Sequence, residues 1–363
     1  MRVGLKGSLF RIKPSLSGRL FLFSILLAAA FFLPANLPAH LTSPYEEEAL
    51  SVFSLAPPLL RLPEVQVSLL FSESSQLKEE ALAITAKNVM EYLRPKDDSE
   101  GWQALAVRLP ADAVALALSR APEEGIICFL APGERDYSLV FAREGFLPIE
   151  ELRLWPMGEG REDDTGANGA GAAGAAESQT PAWLLALTEK HDEKLGAYSK
   201  VRRFSLLLWS EEKLVNAFET NLSWQLAFPR GQAWIGAEQK VSVSGSGGSL
   251  DLTCRQTYCQ SEGFQAALLS PEDWTKTPGI SLLSELDRDE RREYRYVPEY
   301  QAFGLAKGLW RPAGQEQPLP VLVIADLERE LEGPFSAREE YLLKTSEGLS
   351  VTAPKTEVSL ETW

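Results

Sequence analysis

Histidine, cysteine and methionine are scarce in this chain, with two, three and three occurrences in 363 residues. Histidine is the commonest general base at neutral pH. His40 adjoins an apolar segment, which leaves His191 as the only imidazole in the body of the chain. It falls four residues after Leu187 and four before Leu195, on the apolar stripe of a predicted helix, with no nucleophile motif beside it. Histidine-dependent hydrolysis is not expected. Three cysteines rule out the dense disulfide framework of small secreted domains. Cys128 sits in the apolar run Ile126-Ile127-Cys128-Phe129-Leu130 and reads as a small core hydrophobe. Cys254 and Cys259 enclose four residues, and in an oxidising compartment they are candidates for a small-loop disulfide. No second Cys or His pair stands near them to complete a tetrahedral metal site.

Other absences narrow the chemistry further. No His-Glu-x-x-His helix, no Gly-x-Ser-x-Gly elbow and no Asp-rich calcium loop occurs. Gly245-Ser246-Gly247-Gly248 lacks the Gly-Lys-Ser/Thr ending of a phosphate loop and is followed by a strand pattern, so a hairpin turn accounts for it. Asp287, Asp289 and Glu290 alternate with Arg288, Arg291 and Arg292, a pattern that reads as a solvated helix face. No catalytic, cofactor-binding or metal-binding residue is therefore nominated, and no cofactor is expected.

Basic charge is also short. The chain has 36 Lys and Arg against 51 Asp and Glu, a formal net charge of −15. Five of the cations (Arg2, Lys6, Arg11, Lys13 and Arg19) precede an uncharged apolar run from Leu20 to Leu33, and no acid occurs before Glu46. That arrangement reads as an export signal, with the remainder extracytoplasmic by the positive-inside rule. Fourteen apolar residues make a helix of roughly 21 Å, signal-peptide length, against a hydrocarbon core of roughly 30 Å. Continued to Leu41, the segment reaches 22 residues and roughly 33 Å, enough to anchor. The expectation is a signal peptide or signal anchor over residues 1–41, placing the protein in the cell membrane as a single-pass chain. Secreted or periplasmic release after cleavage is the alternative. Beyond this leader the chain is more acidic still, which disfavours nucleic acid as a partner.

Composition breaks sharply at residues 158–180, GEGREDDTGANGAGAAGAAESQT, which holds no aromatic and no branched aliphatic residue. Such a stretch cannot build a core. It reads as a flexible linker between an α+β module at 42–157 and a β-rich α+β module at 181–363. An excursion within one domain is the other reading. In the first module Val65, Val67, Leu69 and Phe71 alternate as in a strand, whereas Leu82, Ala86, Val89 and Leu93 recur at helical spacing up to Pro95. Ala113 to Leu118, Ile126 to Leu130 and Tyr137 to Ala142 read as strands. The second module opens with Thr180-Pro181 and a helix to about Lys200. Strands follow at Phe204 to Trp209, Leu222 to Phe228, Lys240 to Ser244, Leu250 to Cys254 and Val321 to Ala325, with Ser270-Pro271-Glu272-Asp273 starting a helix. The fold class expected is α+β, mostly antiparallel sheets with packed helices behind an N-terminal export helix.

The function expected is that of an exported, membrane-anchored envelope protein with a non-enzymatic binding or structural role, its partner an envelope protein or glycan. Two alternatives stand beside it: an exported carboxylate-dependent hydrolase acting on carbohydrate, and a sugar- or peptide-binding module. Trp224, Trp234 and Trp274 are the candidate aromatic binding face, with Tyr294, Tyr296 and Tyr300 near an arginine cluster.

Overall fold

The computed structural model describes residues 59–97, 99–121, 124–157, 183–193, 198–210, 213–230, 233–246, 248–263, 269, 271–315, 317–327 and 339–361. The N-terminal segment at 1–41 and the Gly/Ala-rich stretch at 158–180 lie outside them. Among the described residues no helix is long and apolar enough to cross a membrane.

Three antiparallel sheets make up the body. The first contains β1 (Arg61–Pro63), β2 (Gln103–Arg108), β3 (Val114–Arg120), β4 (Glu124–Pro132) and β5 (Asp136–Phe146), in the order β1-β5-β4-β3-β2. Between β1 and β2 come α1 (Glu64–Leu69) and α2 (Ser75–Leu93). Residues of β3 are buried on both faces. Leu116 and Leu118 pack with Ala86, Val89 and Met90 of α2, while Ala115 and Ala117 belong to the core on the other side. Helix α2 ends at Leu93 with Arg94 as its cap, because the residue before Pro95 is biased away from helical backbone.

The second sheet carries β6 (Ile149–Pro156), β7 (Trp183–Glu193), β8 (Tyr198–Ser210), β9 (Lys213–Arg230), β10 (Ala233–Ser246), β11 (Ser249–Ser261), β13 (Arg288–Val297) and β14 (Ala302–Gly304) in the spatial order β14-β13-β11-β10-β9-β8-β7-β6. Short β12 (Ile280–Leu282) also pairs with β11, after a four-residue helix α3 (Pro271–Trp274). This sheet is strongly coiled. Phe218 of β9 lies 5.1 Å from Tyr294 of β13 and 6.0 Å from Phe303 of β14 between ring centroids, although β10 and β11 separate those strands in the ladder. Strands β6 and β7, which flank 158–180 in sequence, pair with each other from Ile149↔Glu189 to Pro156↔Trp183.

The third sheet holds β15 (Ala306–Trp310), β16 (Leu319–Asp326), β17 (Glu340–Thr345), β18 (Ser350–Pro354) and β19 (Val358–Glu361), in the order β18-β17-β16-β15-β19. A 3-10 turn at Lys355–Glu357 carries the chain from β18 back to the edge beside β15. All five strands contribute to one small core around Val321, Val323, Leu343 and Ala353. Leu322 joins Val297 and Ala302 of the second sheet in a separate cluster, so the last two sheets share a seam.

The α+β expectation is corrected to a mostly β fold, with nineteen strands and three α-helices among the described residues. The antiparallel pairing holds, but among the described residues α2 is the one long helix packed on a sheet, too little helix for an α+β fold. The helix expected from Pro181 to Lys200 gives way to β7 and the start of β8. Leu184 and Ala186 face one core while Leu185 and Leu187 face another, so the run is apolar at every position and its period is uninformative. Conversely, the strand expected at Val65 to Phe71 is α1 in its first part. Val67 and Leu70, three apart, are buried, whereas Val65 is 69% exposed. The charged run at Asp287 to Arg292 lies mainly on β13 rather than on a helix.

Gly125 sets one tight contact. A Cβ there would meet the Leu147 carbonyl oxygen, on the link from β5 to β6, well inside van der Waals distance. Backbone cannot yield as a side chain does. Gly125→Ala is therefore expected to destabilise the protein by about 1–3 kcal/mol, seen as a lower urea midpoint at unchanged slope.

Candidate functional site

Lys190, Arg202, Ser223, Lys240 and Arg255 are far apart in sequence, yet the ladder register sets them side by side. Lys190 stands opposite Arg202, Arg202 opposite Ser223, Ser223 opposite Lys240, and Lys240 opposite Arg255. Directly paired residues share a face of the sheet, and adjacent strands lie about 4.8 Å apart. The result is a row of four cations and one hydroxyl across β7 to β11, about 19 Å from end to end. It ends where Asp289 of β13 follows Arg255. On β8 the row continues the alternation of Phe204, Leu206 and Leu208. Those three belong to a buried core, whereas Arg202 lies beyond it.

At one end of the row the sheet forms an open depression of about 270 Å³ lined by Glu150, Lys190, Lys200, Val201, Arg202 and Ser223. Glu150 of β6 serves both neighbouring cations. Arg202 Nε donates to its Oε2 at 2.8 Å, and Lys190 Nζ lies 3.3 Å from its Oε1. Partial burial works to raise the pKa of Glu150, but the hydrogen bonds and charges of Arg202 and Lys190 outweigh it and hold the carboxyl below its ordinary value. Three cations against one carboxylate leave the lining with a positive surplus. Lys200 stands opposite Asp192 in the ladder. Lys240 Nζ lies 3.6 Å from Glu238 and 3.8 Å from Glu272, and Arg255 is exposed. Such a lining offers several N–H donors and net positive charge to an anion, with the guanidinium of Arg202 able to engage a carboxylate or phosphate.

A second charge group lies beneath the sheet. Arg203 of β8 donates from Nε and Nη2 to Glu189 of β7 at 3.0 and 3.2 Å, and its Nη1 is 3.6 Å from Glu219 of β9. The Leu147 amide donates to Glu189 at 2.7 Å, tying this group to the β5–β6 link. Glu189 is 2% exposed. Its burial pushes the carboxyl up, to about 8, and the charge of Glu219 pushes the same way against the Leu147 hydrogen bond. Burial raises Glu219 as well, with Arg203 opposing. One guanidinium cannot neutralise two carboxylates, so the group is a structural charge cluster that holds a proton in the folded state. Glu189 and Glu219 are two neighbouring acids, as a hydrolase needs, but they converge on Arg203 inside the protein rather than across a cleft.

The residues singled out from sequence are placed as follows. Cys254 and Cys259 lie on the single strand β11, five positions and about 17 Å apart, on opposite faces, each a buried thiol outside any disulfide. The structure does not bring them together. Cys128 is a buried free thiol whose burial raises its pKa. Trp274 is 1% exposed and packs on Cys259. Trp224 stands opposite Val201 and Gln239, while Trp234 stands opposite Pro229 and Ser261. Gln239 and Trp234 are five residues apart on β10, so Trp224 and Trp234 project from opposite faces, and the three tryptophans form no common surface. Tyr294 is buried against Phe218, and Tyr296 lies edge-on to Phe303 at 5.3 Å. His191 lies on β7 opposite Val201. Gly245, Ser246 and Gly248 lie at the β10–β11 connection, where the last pair is Ser246↔Ser249. His40 lies outside the described residues. Among those described, no group of three or more His, Cys, Asp or Glu side chains is placed to hold a metal ion. The cationic row itself escaped the sequence reading, whose only trace of it is a cation at alternate positions of β8.

Because the Glu189 carboxyl titrates near 8 folded and near the ordinary 4.5 unfolded, the folded chain holds an extra proton between those values. Stability from this group is complete below about pH 4.5 and is lost as pH rises through about 8. Urea unfolding between pH 5 and 9 is expected to show this decline, and Glu189→Gln to flatten it. Arg203→Met, which strands both acids, is expected to cost about 3–5 kcal/mol at pH 8.

Compared with models of known families, with curated proteins and with solved structures, the chain matches none.

Proposed function

We propose that this chain is an exported, membrane-anchored protein of the cell envelope with a non-enzymatic binding role. The cationic leader and apolar run at residues 2–33 support export, and the uncharged continuation to Leu41 supports retention as an anchor. The acidic remainder suits a soluble face in an aqueous compartment.

One observation carries the binding part: the open depression at Glu150, Lys190, Lys200, Arg202 and Ser223, continued as a cationic row across the sheet. Carbohydrate hydrolysis would call for two acids facing each other across a cleft, about 5–10 Å apart. The depression is lined instead by cations around a single carboxylate that is held ionised, a chemistry of capture rather than proton transfer. An anionic envelope component, glycan or protein, is the partner it fits; nucleic acid is disfavoured by the charge of the rest of the chain.

Cell fractionation with a tagged chain tests the placement. The expected result is recovery with membranes, release only by detergent, and digestion of the body by protease added from the extracytoplasmic side. N-terminal sequencing is expected to find the segment through Leu41 retained. Recovery of the intact chain in the soluble cytosol would overturn the proposal.

A further inference from the structure

We infer that the row Lys190–Arg202–Ser223–Lys240–Arg255 is the binding track of a linear acidic polysaccharide, a glycan strand with one acid group per sugar. This rests on the binding role proposed above and adds the chemical class of the partner.

Three features of the row point to a strand rather than to a small anion or a lipid surface. First, the cations are spread in a line, one per strand on four of five strands, rather than gathered around one point. A single phosphate or carboxylate can meet Arg202 and Lys190 but not Arg255, about 19 Å from Lys190. Second, the row advances about 4.8 Å per strand, comparable to one sugar of a pyranose chain, with cations at its first, second, fourth and fifth steps and the Ser223 hydroxyl between them. A polymer with one carboxylate per sugar places its charges over successive strands without folding. Third, the charge favours a narrow ligand. A bilayer would face a whole side of a chain of net charge −15, whereas a single strand lying in the depression meets Lys190, Lys200, Arg202 and Ser223 and runs on from there past Lys240 and Arg255.

The resident acids fit this reading. Glu150 bridges Lys190 and Arg202, and Glu238 and Glu272 lie beside Lys240, so three of the four cations are held in place by protein carboxylates that leave their other donors to a ligand. Ser223, at the centre of the row, supplies a hydroxyl that can donate to or accept from a sugar hydroxyl. Asp289 beside Arg255 closes the track at that end.

Titration of the purified full chain with oligogalacturonate of about eight sugars is the test, alongside galacturonate monomer, an uncharged glucan of equal length and vesicles containing phosphatidylglycerol. Binding is expected for the charged oligomer and absent for the glucan. The monomer is expected to bind at least a hundredfold more weakly, because multiple contacts are lost together. Arg202→Gln, Lys240→Gln and Arg255→Gln are each expected to weaken oligomer binding by about tenfold, the worth of one charge-assisted hydrogen bond. Lys307→Gln, on β15 of the third sheet, leaves it unchanged. Thermal melting equal to that of the parent chain certifies that the variants are folded. No oligomer binding at low salt, binding insensitive to the row variants, or vesicle binding that they weaken in place of oligomer binding would each overturn the inference. A chain that fractionates with membranes but ignores the oligomer loses this inference alone. A cytosolic chain that binds it through the row loses the envelope placement instead.

Discussion

The interaction on which the rest depends is the packing of the first sheet against β7, β8 and β9. Phe129 and Phe141 of the first sheet meet Trp209 of β8 with centroid distances of 4.6 and 4.8 Å, and they stack on each other at 5.4 Å. Aromatic contacts of this kind add about 0.5–1.5 kcal/mol each beyond the area they bury. Around them lie Ile127, Leu185, Leu187, Leu207 and Leu214. Because the opposite face of the first sheet is covered by α2, and that of β7 to β9 by the coiled end of the same sheet, the central strands lie between two cores.

That layering dictates where charge can go. Glu189 and Arg203 fall on the face of β7 and β8 that meets the first sheet, and they persist there as a group hydrogen-bonded to each other and to the Leu147 amide and ion-paired with Glu219. Lys190 and Arg202, one residue away on each strand, point to the other face beyond the aromatic core and remain accessible to solvent. Adjacent residues of one strand thus serve opposite ends: one pair secures the interface between sheets, and the next lines the anion-accepting depression. The pleat makes this separation unavoidable.

Elements whose signal is local were legible. Helix α2 carries its apolar stripe and a terminating proline, β3 to β5 have distinct apolar runs, and the β10–β11 hairpin has a glycine-rich turn between alternating strands. Errors arose where burial on both faces erased the pattern, as at Trp183 to Leu187, or where a short helix presented alternating valines, as at Val65 and Val67. Cys254 and Cys259 are held apart for a geometric reason: the four residues between them form extended strand rather than a closed loop. Trp224 and Trp234 share no face because the pleat, which composition does not show, sends them to opposite sides of the sheet.

By itself the sequence determined the charge asymmetry of the N-terminal segment, the acidity of the remainder, the scarcity of imidazole and the strands and turns encoded by neighbours. Only the tertiary structure decided that residues 190, 202, 223, 240 and 255 stand in one line, and that Glu189 and Arg203 are interior while Lys190 and Arg202 are not. Pairing register is a long-range property. A slip of one residue moves every side chain to the other face, and what prevents the slip is the burial of distant apolar partners rather than the identity of the charged residues.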